Sequence, residues 1–158
     1  MLKKIKWLPL LFVLLSTFLV GCGDSLPYKE GEKYKEEGYS TYVEILNKNE
    51  WKVHKGKENE YDVYSIESTE YSNGEYMVVK ISRKDSINGI DPWNVQRPKY
   101  QLMVKSEKGF NMLFLGRENE DPKWDKFQKE YKQATDKKDF LKKKIDSSGT
   151  KIDKLIKL

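Results

Sequence analysis

Between residues 61 and 115 apolar and polar positions alternate with a period of two, and the alternation is broken at short clusters of Ser, Asn and Gly. A period of two is the signature of strands with one face buried. DVYSIESTEY ends at Ser72-Asn73-Gly74, and EYMVVKIS follows at once. Asn-Gly between two such runs predicts a hairpin, because both residues tolerate positive φ. Met77, Val79 and Ile81 share one face of the second strand, and Tyr76 and Val78 share the other. YQLMVKS and GFNMLFLG repeat the arrangement around Ser106-Glu107-Lys108-Gly109. Two hairpins in succession predict an antiparallel meander.

The flanks are less regular. In residues 40–47, Tyr42, Ile45 and Leu46 fit one helical face and Thr41 with Glu44 fits a capping box, whereas YVEIL and WKVH also fit two strands joined across Asn47–Glu50. A short helix followed by a strand over residues 51–54 is the preferred reading. Asp121-Pro122 is a helix start with Asp as the cap, and Trp124, Phe127 and Tyr131 form the apolar stripe behind it. Phe140, Leu141 and Ile145, then Ile152, Leu155 and Ile156, suggest two further helical pieces broken at Ser147-Ser148-Gly149. The expected fold class is α+β, an antiparallel β-meander of about five strands with a C-terminal helix packed on it.

The start of the chain is of another kind. Lys3, Lys4 and Lys6 precede an uncharged stretch, Trp7 to Leu19. As a helix this stretch reaches roughly 20 Å, short of the ~30 Å hydrocarbon layer. A basic flank, a short apolar core and a small residue at a cut site are the marks of a secretory signal. Leu19-Val20-Gly21-Cys22 resembles the lipobox of bacterial lipoproteins. The resemblance covers residues 1–22 and implies cleavage before Cys22, whose sulfur carries a diacylglyceryl group bearing chains such as palmitate. Cys22 is the one cysteine, so no internal disulfide forms, and lipidation accounts for a thiol that otherwise lacks a purpose in an exported protein. The implied location is the extracytoplasmic face of the cell membrane, with the bilayer as partner through Cys22. Two acyl chains anchor durably where one does not.

This division sets the expected domains: 1–21 signal peptide, 22–38 lipidated cysteine and polar tether, 39–133 strand-rich globular domain, 134–158 lysine-rich helical tail. The three leader lysines carry +3 of the formal +5, so residues 22–158 retain only +2. That weak charge and the exported compartment argue against nucleic acid as a partner. Charged residues make up 35% of the chain, which leans toward disorder, but beyond the leader ten Tyr and three Trp restore enough amphipathic ring area for a folded core.

Reaction chemistry is sparse. His54 is the single histidine and alternates with Lys52 on an apparent strand, which suggests an exposed position. No nucleophile elbow, zinc-binding helix motif, Cys-pair or phosphate-cradling glycine loop occurs. No catalytic residue, metal site or cofactor is therefore expected, apart from the thioether lipid. The segment 85–99 (DSINGIDPWNVQRPK) is long for a hairpin link and holds Trp93, Arg97 and Asp91. Trp and Arg are favoured at binding hot spots, so these three are candidate partner contacts, set against a plain role for Ile87, Ile90, Trp93 and Val95 as a plug over the sheet end. The functional expectation is a non-enzymatic surface module binding a protein or cell-wall polymer, in an accessory, immunity or exclusion-type role. Alternatives are a small-ligand carrier with an aromatic-lined β cup, and a carboxylate-based hydrolase of envelope substrates.

Overall fold

The computed structural model describes residues 26–86 and 90–158, so the leader, Cys22 and Ile87 lie outside the described residues. Eight strands follow in order, β1 (Lys33–Glu36), β2 (Thr41–Asn47), β3 (Glu50–Lys55), β4 (Tyr61–Ser68), β5 (Met77–Ser86), β6 (Lys99–Ser106), β7 (Gly109–Arg117) and β8 (Ile152–Lys157). Each pairs antiparallel with its neighbours, and β8 returns to β1 through Tyr34↔Lys157, Lys35↔Ile156 and Glu36↔Leu155. The sheet is thereby a closed barrel, which leaves no unpaired edge.

The fold is mostly β, with two helices between β7 and β8: α1 (Pro122–Gln133) and α2 (Lys137–Asp146). The expected five-strand meander is thus its middle portion. The separation of 39–133 from a flexible tether and a helical tail is not the observed organisation, because β1 and β8 close the barrel. Within residues 40–47, Thr41–Asn47 form a strand rather than a helix: Thr41, Val43 and Ile45 are buried while Tyr42, Glu44 and Leu46 alternate with them. Ile152, Leu155 and Ile156 lie on a strand rather than a helix. Their helical spacing is overridden because β7 and β1 each offer a free edge that only this segment is placed to fill.

Strand alternation sorts the side chains. Tyr34, Val43, Trp51, Val53, Tyr64, Ile66, Met77, Val79, Ile81, Met103, Phe110, Met112 and Leu155 belong to one buried cluster that fills the interior. Eight strands enclose a space just wide enough for side chains. Large rings occupy it, with Trp51 5.6 Å from Phe110 and Tyr34 4.8 Å from Phe110, centroid to centroid.

The outer face of β5, β6 and β7 carries the second cluster, in which Val78, Leu102 and Leu115 pack under Trp124, Phe127 and Leu141 of the helices. Asp121 caps α1 by accepting from the Lys123 N–H at 2.9 Å, with Pro122 in the first turn. Tyr100 stacks flat on Trp124 at 3.6 Å. Gly116 permits this approach: its φ is +137°, and a Cβ there would sit 2.6 Å from the Trp124 backbone nitrogen. The apolar stripe predicted for α1 is therefore its docking face.

Candidate functional site

The meander gives the barrel two ends. Residues 26–32 enter at the proximal end, together with the β2–β3, β4–β5 and β6–β7 turns; the distal end carries the remaining loops, including residues 90–98.

At the distal end the interior turns polar. Asp62, on β4 and fully buried, pairs with Arg83 of β5 at 2.7 Å. It also accepts the Asp91 N–H at 2.8 Å. Asp91, at φ +39°, accepts from the Tyr64 hydroxyl at 2.7 Å and from the Val95 N–H at 2.9 Å. Burial raises the Tyr64 pKa, and the bond to Asp91 raises it further. The network fixes the 90–98 loop across the barrel mouth. Trp93 lies 6.0 Å from Trp51 and 5.5 Å from Tyr64, and Val95 is buried beside them.

Beneath Trp93 sit three ionisable groups from three strands. Lys99 Nζ donates to the Trp93 carbonyl at 3.2 Å and lies 5.4 Å from its ring centre. Burial lowers the Lys99 pKa, against the opposing charges of Asp153 and Glu36. Burial raises the pKa of Glu36, and the negative charge of Asp153 adds to it while Trp93 and Lys99 oppose it. Burial likewise raises Asp153, opposed by Lys99. Chemically the cluster combines two carboxyls whose proton affinity burial raises with an ammonium whose proton affinity burial lowers.

The three predicted partner contacts are thus separated in role. Asp91 and Trp93 are half-buried in the loop across the barrel mouth, and of the three Arg97 alone is exposed, donating to the Asn119 carbonyl at 3.2 Å. Pattern reading missed Glu36, Lys99 and Asp153; the period-two parity with Tyr34, Met103 and Leu155 was the signal that each points inward.

His54 is on the outer side, as its alternation with Val53 requires, yet only 1% exposed. It stacks on Tyr42 at 4.1 Å, and its Nδ1 lies 3.3 Å from the Lys57 carbonyl in the covering turn. The expected exposed histidine is therefore corrected to a buried one: neighbouring rings and the turn cover it. Its Nε2 is 3.4 Å from a Glu44 oxygen.

The proximal end is closed by the incoming chain. Leu26 and Tyr28 pack against the core, and the Tyr28 hydroxyl donates to the Lys48 carbonyl at 2.9 Å. Burial pushes the Tyr28 pKa up to about 12. Glu32 joins the segment entering β1 to the last strand: it accepts from Lys157 at 2.5 Å, from the Lys29 N–H at 2.9 Å and from the Tyr34 hydroxyl. Those bonds, Lys157 foremost, hold the Glu32 pKa down to about 2. Beside this plug opens a cleft of about 770 Å³, lined by Leu26, Tyr28, Lys29, Lys48, Asn49 and Lys105 among others. Among the described residues no three His, Cys, Asp or Glu side chains group as a metal site, and no helix is long and apolar enough to cross a membrane.

Fold and site together define a small closed antiparallel barrel with a packed interior, stoppered at both ends and carrying a helical pair on one flank. Over residues 21–155 the chain matches the model of a family described as a family of unknown function, DUF5512, and it belongs to that family. An uncharacterized protein of Bacillus anthracis is 38% identical over 151 residues, covering 92% of each chain. No solved structure matches.

Proposed function

We propose that this is a lipid-anchored extracytoplasmic protein, fixed to the membrane through Cys22, whose barrel is a non-enzymatic interaction module for a protein or wall polymer. The observation that carries the reading is the order of basic Lys3, Lys4 and Lys6, the uncharged stretch Trp7 to Leu19 and the lipobox-like Leu19-Val20-Gly21-Cys22; β1 starts at Lys33, so cleavage before Cys22 leaves all eight barrel strands in place. Within the barrel, Asp62, Asp91 and Tyr64 are engaged in holding the stopper, which supports a scaffold role over a reactive one. The interior is occupied by fully buried Trp51, Tyr64 and Phe110, and a carrier has less support here than it would in a hollow barrel.

Mass spectrometry of the native product tests the anchor. A diacylglyceryl thioether on an N-terminal Cys22 is expected; a bare thiol or a retained leader overturns it. For the module role, capture from detergent extracts with and without Arg97→Ala should identify a partner lost on substitution.

A second reading, a carboxylate-based hydrolase of envelope substrates, is favoured by the raised pKa values of Glu36 and Asp153. Such chemistry pairs a general acid, whose pKa burial raises, with a second, ionised carboxylate. Loss of turnover on wall fragments in Glu36→Gln, with its melting temperature intact, would favour the hydrolase over the module.

A further inference from the structure

We infer that the proximal end of the barrel is a docking surface for the anionic headgroups of the bilayer. The inference rests on the anchoring reading for its geometry and on the cleft for its chemistry. Leu26 packs against the core cluster, and only three residues separate it from Cys22. A fully extended chain covers at most about 3.6 Å per residue, so a lipid on Cys22 keeps Leu26 within roughly 14 Å of the anchor point. That is too short a leash for the barrel to turn its distal end to the membrane.

The end that must face the headgroups is built to meet phosphate. Lys29, Lys48 and Lys105 surround the cleft of about 770 Å³, whose floor is Leu26 and Tyr28, and Glu30 is the acid among its lining residues. All three lysines are exposed, and none pairs with a carboxylate among the described residues. Lys108 extends the basic rim, while Glu107 beside it and Glu67 and Glu70 on the β4–β5 side oppose it. Glu32 is neutralised by Lys157. The attraction is therefore local to the cleft rather than a property of the whole end, and a few lysines at a negative leaflet bind it measurably within a Debye length. The rim is also rigid, since the Tyr28–Lys48 bond and the Glu32–Lys157 pair tie the loops to the plug. Docking there leaves Arg97 and the 90–98 loop facing away from the membrane.

The test uses a chain beginning at residue 22 with Cys22→Ser, which retains the described strands and helices and removes the lipid. Co-sedimentation with phosphatidylglycerol vesicles at low salt is expected, with at least tenfold weaker partitioning onto phosphatidylcholine vesicles. Lys29→Glu, Lys48→Glu and Lys105→Glu combined should reduce binding at least tenfold without lowering the melting temperature. The same three charge reversals at Lys129, Lys132 and Lys138 on the helices should change it less than twofold. Equal partitioning onto both vesicle types, or equal losses from the two triple variants, overturns the inference. So does equally tight binding to soluble poly(glycerol phosphate) at matched phosphate concentration. Because this chain carries no lipid, its result is independent of whether mass spectrometry finds the thioether on the native product.

Discussion

Trp93→Ala separates a stopper from a contact residue. The ring is partly buried and wedged against Trp51 and Tyr64, both fully buried, with the Lys99 ammonium over its face. Truncating a buried Trp costs about 3–5 kcal/mol, and partial exposure places Trp93 at the lower end, about 3 kcal/mol. For a domain of this size each kcal/mol moves the midpoint by about 4 °C, so a fall of roughly 12 °C is expected. The assay is thermal unfolding followed by circular dichroism on the chain from residue 22. Arg97→Ala run beside it should change stability by less than about 0.5 kcal/mol, because its side chain is exposed. A Trp93→Ala midpoint within 2 °C of the parent would refute the stopper and return Trp93 to the partner surface. If the fall occurs, partner capture must be compared below both transitions, and only a loss in Arg97→Ala reports a direct contact.

Gly116→Ala should detach or shift α1, since the new methyl meets backbone as well as strained φ; a loss of about 2–4 kcal/mol and greater protease sensitivity within residues 118–151 are expected. Glu32 has a depressed pKa, so the stability it contributes is present above the unfolded carboxylate value and is lost as pH falls toward about 2. Glu32→Gln should therefore flatten the acid limb of a stability–pH curve below pH 4.5; an unchanged limb would remove Glu32 as its cause. Glu36 and Asp153 act in the opposite sense: with folded pKa values raised, stability rises as pH falls from their folded values toward the unfolded ones. Asp153→Asn should abolish part of that rise, measured by denaturant unfolding between pH 4 and 7.

The centre of the fold was legible because its information is local. Alternation assigned Met77, Val79 and Ile81 to one side and Val78 to the other, and the structure places the first three inside the barrel and Val78 under the helices. Asp121, Pro122 and the Trp124–Phe127–Tyr131 stripe likewise carry their own start signal and docking face. Closure was not legible. β1 is four residues with a single buried side chain, Tyr34, too little for any periodic signal, and β8 has helical spacing. Each is a strand because the other is its neighbour, 116 or more residues away along the chain, and only the assembled sheet supplies that edge. The distal site has the same origin. Glu36, Lys99 and Asp153 are ordinary charged residues in sequence, and it is the meeting of three strands under Trp93 that buries them and moves their proton equilibria. Short-range chemistry thus determined the hairpins, the helix cap and the lipobox resemblance, while barrel closure, stoppers and charge burial depended on long-range pairing that no local pattern encodes.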